Sequence, residues 1–331
     1  MTRSGFFSVG HDTFLRACEL GLNPAAAFLV LARGTGGDNT STRWSAEAAA
    51  DRLGTRWTTA KAAIAQLAAG RLVTIRKGST RPAYTLAKKG TPIWLPNALV
   101  DGAASEVPPV ARLRQTQDPL ALRLFVELYG EQNLRDDGGV KPSVIWMAYE
   151  RERIGQRGAY VVWRFHGGLQ TASGVSDVTV PHYARLTAEE RQAGKNRAED
   201  FFRRLGHLES LGLVEWVPYL FDGPEGEPIH PLNGHGAIED EAALYAACAE
   251  AAARCLTDAQ HEYAVDKGGS LVPVPKHIEQ AQLIGVARLR YRPHTRMTAA
   301  WWADHTAKCR AYAERYAAIA ADEAAEDRAV A

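Results

Sequence analysis

Apolar positions recur along the first ninety residues with two different periods. From Asp12 to Leu20 and from Asn23 to Ala32 the spacing is helical, and Asn23-Pro24 opens the second stretch as a cap with proline in the first turn. After the turn-forming run GTGGDNTST (34–42), Ser45 is placed to cap a helix over 46–53, and Gly54 to close it in the left-handed conformation. A further helix, starting at Thr55 or Thr58 and ending at Gly70, puts Ile64 and Leu67 on one face. The period then falls to two. LVTIR (72–76) and AYTLA (83–87) alternate as strands do, and KGSTRP (77–82) between them has turn composition. The predicted order is helix, helix, tight turn, helix, strand, basic turn, strand.

Four prolines in GTPIWLPNALVDGAASEVPPVA (90–111) read as a linker. A second unit begins at Asp118-Pro119 with an amphipathic helix carrying Leu120, Leu124, Phe125 and Leu128. VIWMAYERERIG (144–155) reads as helical, with ambiguous periodicity, and AYVVWRF (159–165) as a strand. A helical stretch follows from Thr187, with Glu190 three residues on in a capping-box pattern, and EWVPYLFDGPEGEPIHPL (215–232) reads as strand, turn, strand. LAAGRLV (67–73) and LESLGLV (208–214) each place leucine five residues before Leu-Val, with glycine between. That shared signature suggests a tandem repeat. From Ala237 onward the pattern is two long alanine-rich helices separated by KGGSLVPVPKH (267–277), with Trp301, Trp302 and Tyr312 requiring something to pack against. The expected fold class is mainly α with small β-hairpins, within the α+β type. Its expected organisation is residues 1–90, a linker at 91–117, a second unit at 118–236 and an alanine-rich helical region at 237–331.

Charge alters this picture more than composition does. The 331 residues carry a net charge of +1, which by itself argues against a polyanionic partner. The average conceals a concentration: residues 41–90 hold ten basic side chains against two acidic ones, a local balance of +8, while the C-terminal region is mildly acidic. No apolar run reaches membrane-spanning length, no secretory signal pattern opens the chain, and the four cysteines are too scattered for a disulfide framework. A cytoplasmic protein without membrane contact is expected.

Within the basic segment, two helices joined by a short turn place the first turn of the second helix on the surface, where a major groove could accept it. Thr55, Arg56, Thr58, Thr59 and Lys61 lie in or next to that turn, and Ala62 and Ala63 are small enough to permit close approach. Arg76, Lys77 and Arg81 lie in the hairpin, and Arg43 and Ser45 start the preceding helix. WSAEAAADRLG, TRWTTAKAAIAQLAAGRLV and TIRKGSTRPAYTL together resemble a winged-helix domain of bacterial regulators. The resemblance covers roughly 80 residues with the preceding helices. It implies that Thr55, Arg56, Thr58, Thr59 and Lys61 face the groove of double-stranded DNA, and Arg76, Lys77 and Arg81 its backbone. Trp57 departs from the pattern. Burial under the preceding helix is the favoured expectation for it, and stacking at the DNA surface the other. In the second unit Lys195 and Arg197 are weaker DNA candidates, because acidic neighbours and the acidic turn FDGPEGEP oppose phosphate; a dimerisation surface is the equal alternative. Two winged helices in tandem resemble plasmid replication initiators. A transcriptional or partition regulator, or an adaptor that binds protein and oligomerises, are the alternatives. A homodimer would form through the second unit or the C-terminal helices.

Catalytic readings fare poorly. His230 and His235 are five apart in a proline-glycine loop, without the one-face helical spacing of HExxH. No two histidines are separated by one residue, as a rolling-circle nuclease would need, and GTGGDNTST lacks the lysine of a nucleotide-binding loop. Cys248 and Cys255 lack companions for a zinc site. The expectation is a non-enzymatic protein with no cofactor and no metal.

Overall fold

The computed structural model describes residues 5–76, 83–103, 106–172, 192–194, 197–223, 226–293 and 295–330. The chain divides into two compact units, one of residues 1–132, 174–215 and 289–298, the other of residues 133–173, 216–288 and 299–331.

The first unit is built around an apolar helix. β1 (Phe6–Gly10) leads into α1 (His11–Glu19) and α2 (Leu22–Arg33), whose Ala25–Ala32 are all buried. Around α2 pack α3 (Ala46–Leu53) and α4 (Trp57–Ala69). A three-stranded antiparallel sheet completes this part, with β2 (Ser41–Thr42), β3 (Val73–Arg76) and β4 (Ala83–Leu86) in the order β2-β4-β3. The segment 91–117, expected as a linker, is instead packed structure. It holds β5 (Pro92–Pro96), paired antiparallel with β1, then α5 (Ala98–Asp101) and α6 (Pro109–Gln115), with Ile93, Leu95, Leu99, Val110 and Leu113 buried. Its prolines sit where a missing N–H is tolerated, at both ends of a strand and in the first turn of a helix.

α7 (Pro119–Gly130) starts on the side chain of Asp118, which accepts from the Leu120 and Ala121 amides at 2.9 and 3.2 Å. α8 (Arg197–Ser210) packs on α7, and its buried Arg204 donates to Asp118 at 2.9 Å.

The second unit overturns the expected fold class. The chain is α+β, with 46% helix and 26% strand, and contains a curled six-stranded sheet in place of a second helix-and-hairpin copy; it is neither mainly α nor a tandem of winged helices. The strands are β6 (Ile145–Arg157), β7 (Tyr160–Ala172), β8 (Val214–Phe221), β9 (Pro228–Pro231), β10 (Ser270–Pro275) and β11 (Gln282–Leu289), in the order β10-β7-β6-β11-β8-β9. VIWMAYERERIG, expected as a helix, is most of β6. Bulges between Ala148 and Glu150 and between Arg153 and Gly155 shift its register, so the period-two pattern never runs long enough to be read. KGGSLVPVPKH, read as a connection, contains β10. Pro273 and Pro275 are compatible with it because β10 is an edge strand, paired only with β7.

The alanine-rich stretch that follows β9 is two helices rather than one, α9 (Glu239–Arg254) and α10 (Asp258–Lys267). A capping box between Thr257 and Gln260 restarts the chain as α10. α11 (Arg296–Val330) brings Tyr312 and Tyr316 onto a core of Phe165, Leu220, Leu244, Cys248, Val274 and Leu283.

The repeated Leu…Leu-Val signature has a local cause. Leu72 N–H bonds Leu67 C=O at 2.9 Å and Arg71 N–H bonds Ala68 C=O at 3.0 Å; Leu213 N–H bonds Leu208 C=O at 2.9 Å and Gly212 N–H bonds Glu209 C=O at 2.7 Å. Both are Schellman caps closing a helix before a strand, with the two leucines buried together. The left-handed residue is Arg71 (φ 58°) in one and Gly212 (φ 62°) in the other. A Cβ at Gly212 would meet only the Arg290 guanidinium, at an ordinary 3.5 Å. Gly212→Ala is therefore expected to cost only the backbone term, about 1 kcal/mol, with Arg71→Gly shifting stability the other way. Urea denaturation midpoints measure both, and an unchanged Gly212→Ala midpoint would remove the cap as the cause.

Candidate nucleic-acid interface

The basic segment folds locally for reasons that its sequence states. Ser45 Oγ accepts from the Ala48 amide at 3.5 Å and starts α3. Gly54 ends α3 in the left-handed region (φ 57°, ψ 46°). The turn is pinned from α6, where Arg114 donates to the carbonyls of Leu53 at 2.9 Å and Gly54 at 3.1 Å. A guanidinium on the orphan carbonyls at a helix C-terminus is favourable for the hydrogen bonds and for the helix dipole alike. Arg56, rather than Thr55 or Thr58, is the N-cap of α4, and no side chain caps that helix. Its first amides therefore lack a capping side chain.

α4 buries Ala60, Ala63, Ile64 and Leu67 and turns the opposite stripe to solvent. That stripe carries Trp57, Thr58, Lys61 and Ala62, and continues through Ala65 and Gln66. Thr55 and Thr59 are half-buried at its margin, Arg56 is exposed at its head, and Arg43 is exposed ahead of α3. Ser45 is half-buried with its hydroxyl committed to the cap. Arg76 is exposed at the end of β3, opposite Ala83. Lys77, Arg81 and Lys195 lie outside the described residues, as does the side chain of Arg197, which is placed only as the first residue of α8.

Trp57 differs from the favoured expectation. It is 50% exposed, and the Lys61 ammonium lies 4.6 Å from its ring centroid. Position supplies the reason. Trp57 is the first residue of α4, one turn ahead of Ala60, the first residue that this helix buries. Gln66 and Ala65 were not singled out from sequence, although the i, i+4 spacing from Lys61 and Ala62 places them on the same stripe.

Several arginines in and around this segment are held internally. Arg33 and Arg52 both pair with Asp101, and Arg52 also lies 3.7 Å from the Trp44 ring centroid. Together with Arg114 they hold the unit together. Among the described residues, Arg43, Arg56, Lys61 and Arg76 pair with no carboxylate, and these are the cations around the exposed stripe of α4.

Among the described residues no three His, Cys, Asp or Glu side chains are grouped to hold a metal, and no helix is long and apolar enough to cross a membrane. All four cysteines are free, and burial pushes the thiols of Cys18, Cys248 and Cys309 up to about 12. Such thiols are poor nucleophiles at neutral pH. Comparison of the chain with protein-family models, with curated proteins and with solved structures finds no match.

Proposed function

We propose that residues 22–86 bind double-stranded DNA as a winged helix, with the exposed stripe of α4 in the major groove and Arg43 and the β3–β4 hairpin on the phosphate backbone. The observation that carries this reading is the division of the cations. Several of those in and around the segment are bonded internally, and among the described residues Arg43, Arg56, Lys61 and Arg76 around α4 have no carboxylate partner. Lysine and arginine on phosphate release condensed counterions, which gives affinity that falls with salt; side chains of the α4 first turn then discriminate base edges. The proposed activity is binding, with no chemical step.

Loss of the tandem architecture weakens the likeness to plasmid initiators, which rested on two like units. Replication initiation remains one role for a sequence-specific duplex binder, alongside transcriptional and partition regulation. Duplexes selected from a random pool separate these roles: direct repeats favour an initiator, and a short palindrome favours a repressor that binds as a homodimer.

The direct test is a gel-shift titration at two salt concentrations with the wild-type chain and with Arg56→Ala combined with Arg76→Ala. Wild-type affinity should fall steeply with salt. The double variant should bind at least about ten-fold more weakly and flatten the slope of log K against log salt by up to about 2. Absent or salt-insensitive wild-type binding would reject the DNA reading and favour the protein-binding adaptor.

A further inference from the structure

Trp57 is the feature of the α4 surface that phosphate binding does not use. A single exposed aromatic needs no explanation on its own. This one has a defined setting: it occupies the first helical position, on the same exposed stripe as Thr58 and Lys61, and the Lys61 ammonium rests on one face of the indole. That ammonium obstructs the covered face as a platform for stacking bases, while the rest of the ring stays available as apolar surface. Around it are exposed hydroxyls and cations suited to a polyanion.

A duplex presents base edges to a helix in its major groove, with the base faces stacked away. The principal apolar group on those edges is the C5-methyl of thymine. We infer that Trp57 is a specificity-determining residue, covering one or more thymine methyl groups in the major groove and giving the bound site a thymine preference at that position. The inference rests on the DNA reading above and names what that site selects.

The test uses the full chain and one duplex chosen by selection from a random pool, prepared with thymine or with deoxyuridine throughout. The two duplexes share every Watson–Crick donor and acceptor and every phosphate, and differ only in the methyl groups. Wild-type protein should bind the thymine duplex more tightly, by about fourfold for each methyl group that Trp57 covers. Trp57→Ala should lose that difference while keeping the salt dependence, and Trp57→Phe should keep part of it. Circular dichroism melting of both variants checks that the fold is retained. Equal binding of the two duplexes by the wild type, with salt dependence intact, would overturn the role of Trp57 and leave the DNA reading standing. A thymine preference undiminished in Trp57→Ala would also overturn it. Tighter binding of the separated single strand than of the duplex would reject groove reading in favour of base stacking. Failure of the wild type to bind any duplex would reject both proposals.

Discussion

Replacing Glu241 with alanine is expected to destabilise the second unit by about 3–5 kcal/mol, because it strands a buried guanidinium. Glu241 is fully buried near the start of α9. Its Oε1 accepts from Arg288 at 2.6 Å and from His305 at 2.7 Å, and its Oε2 accepts from Asn233 at 3.0 Å. Arg288 and His305 are themselves almost completely buried, and Trp301 stacks on the His305 ring with centroids 4.7 Å apart. Burial opposes the Glu241 charge, but the His305 hydrogen bond and the Arg288 charge prevail, so its carboxyl titrates below the usual carboxylate range. The helix N-terminus acts in the same direction. Glu241→Gln keeps an acceptor oxygen for His305 and Arg288 but removes the charge and replaces the oxygen that accepts from Asn233 with a donor, so it should fall between wild type and alanine. Urea unfolding measures the series, and a Glu241→Ala change smaller than about 1 kcal/mol would show that the carboxylate does not hold the cluster.

Acidification from pH 7 to pH 5 should remove about 2 kcal/mol of stability through His230 alone. This ring is completely buried; its Nδ1 lies 3.0 Å from the Pro231 carbonyl and its Nε2 2.8 Å from the Tyr316 hydroxyl. A carbonyl can only accept, so Nδ1 carries the hydrogen, and Nε2 accepts from the Tyr316 O–H. Burial holds the His230 pKa down at about 4, with the Lys308 charge adding to the effect and the Pro231 hydrogen bond opposing it. The unfolded chain takes up this proton near pH 6.5, well before the folded one does. The stabilisation is therefore complete above pH 6.5 and is lost as pH falls toward 4. The difference between wild type and His230→Gln isolates it from the other titrating groups. Parallel stability–pH curves for the two proteins would rule His230 out.

Legibility from sequence followed the range of the interactions concerned. The Ser45 cap, the Gly54 stop, α4 and the β3–β4 alternation are set by residues a few positions apart, and each is legible in the sequence. The N-cap of α4 is Arg56, between the expected Thr55 and Thr58, and it caps through its backbone conformation without a side-chain bond that sequence could signal. The curled sheet was not legible. β6 is disguised by two bulges and by charged residues that also suit a helix, and β10 by prolines that only an edge position accommodates. The repeat inferred from LAAGRLV and LESLGLV was a real likeness of helix ends, extended too far into a likeness of folds. Within the candidate interface, sequence does not separate Arg52 from Arg56. Only the placement of Asp101 and Trp44 shows that the first is held internally.

The threading of the first unit bears on when its surface becomes complete during synthesis. Tyr291 is buried there, its carbonyl accepting from the Tyr129 hydroxyl at 2.8 Å and its own hydroxyl donating to Glu106 at 2.6 Å, while Arg290 N–H bonds the Leu213 carbonyl at 3.1 Å. These closing bonds come from residues made after nearly the whole sheet of the second unit. A nascent chain halted within that sheet carries every side chain of the α4 stripe but lacks the segment of residues 289–298 that belongs to the same unit. At about 5–20 residues per second, that interval lasts on the order of ten seconds or more beyond emergence of α4. The unit that presents the proposed groove-reading helix is thus finished almost last, and ribosome-bound fragments halted in the sheet carry that helix without the Tyr291 and Arg290 bonds of its unit.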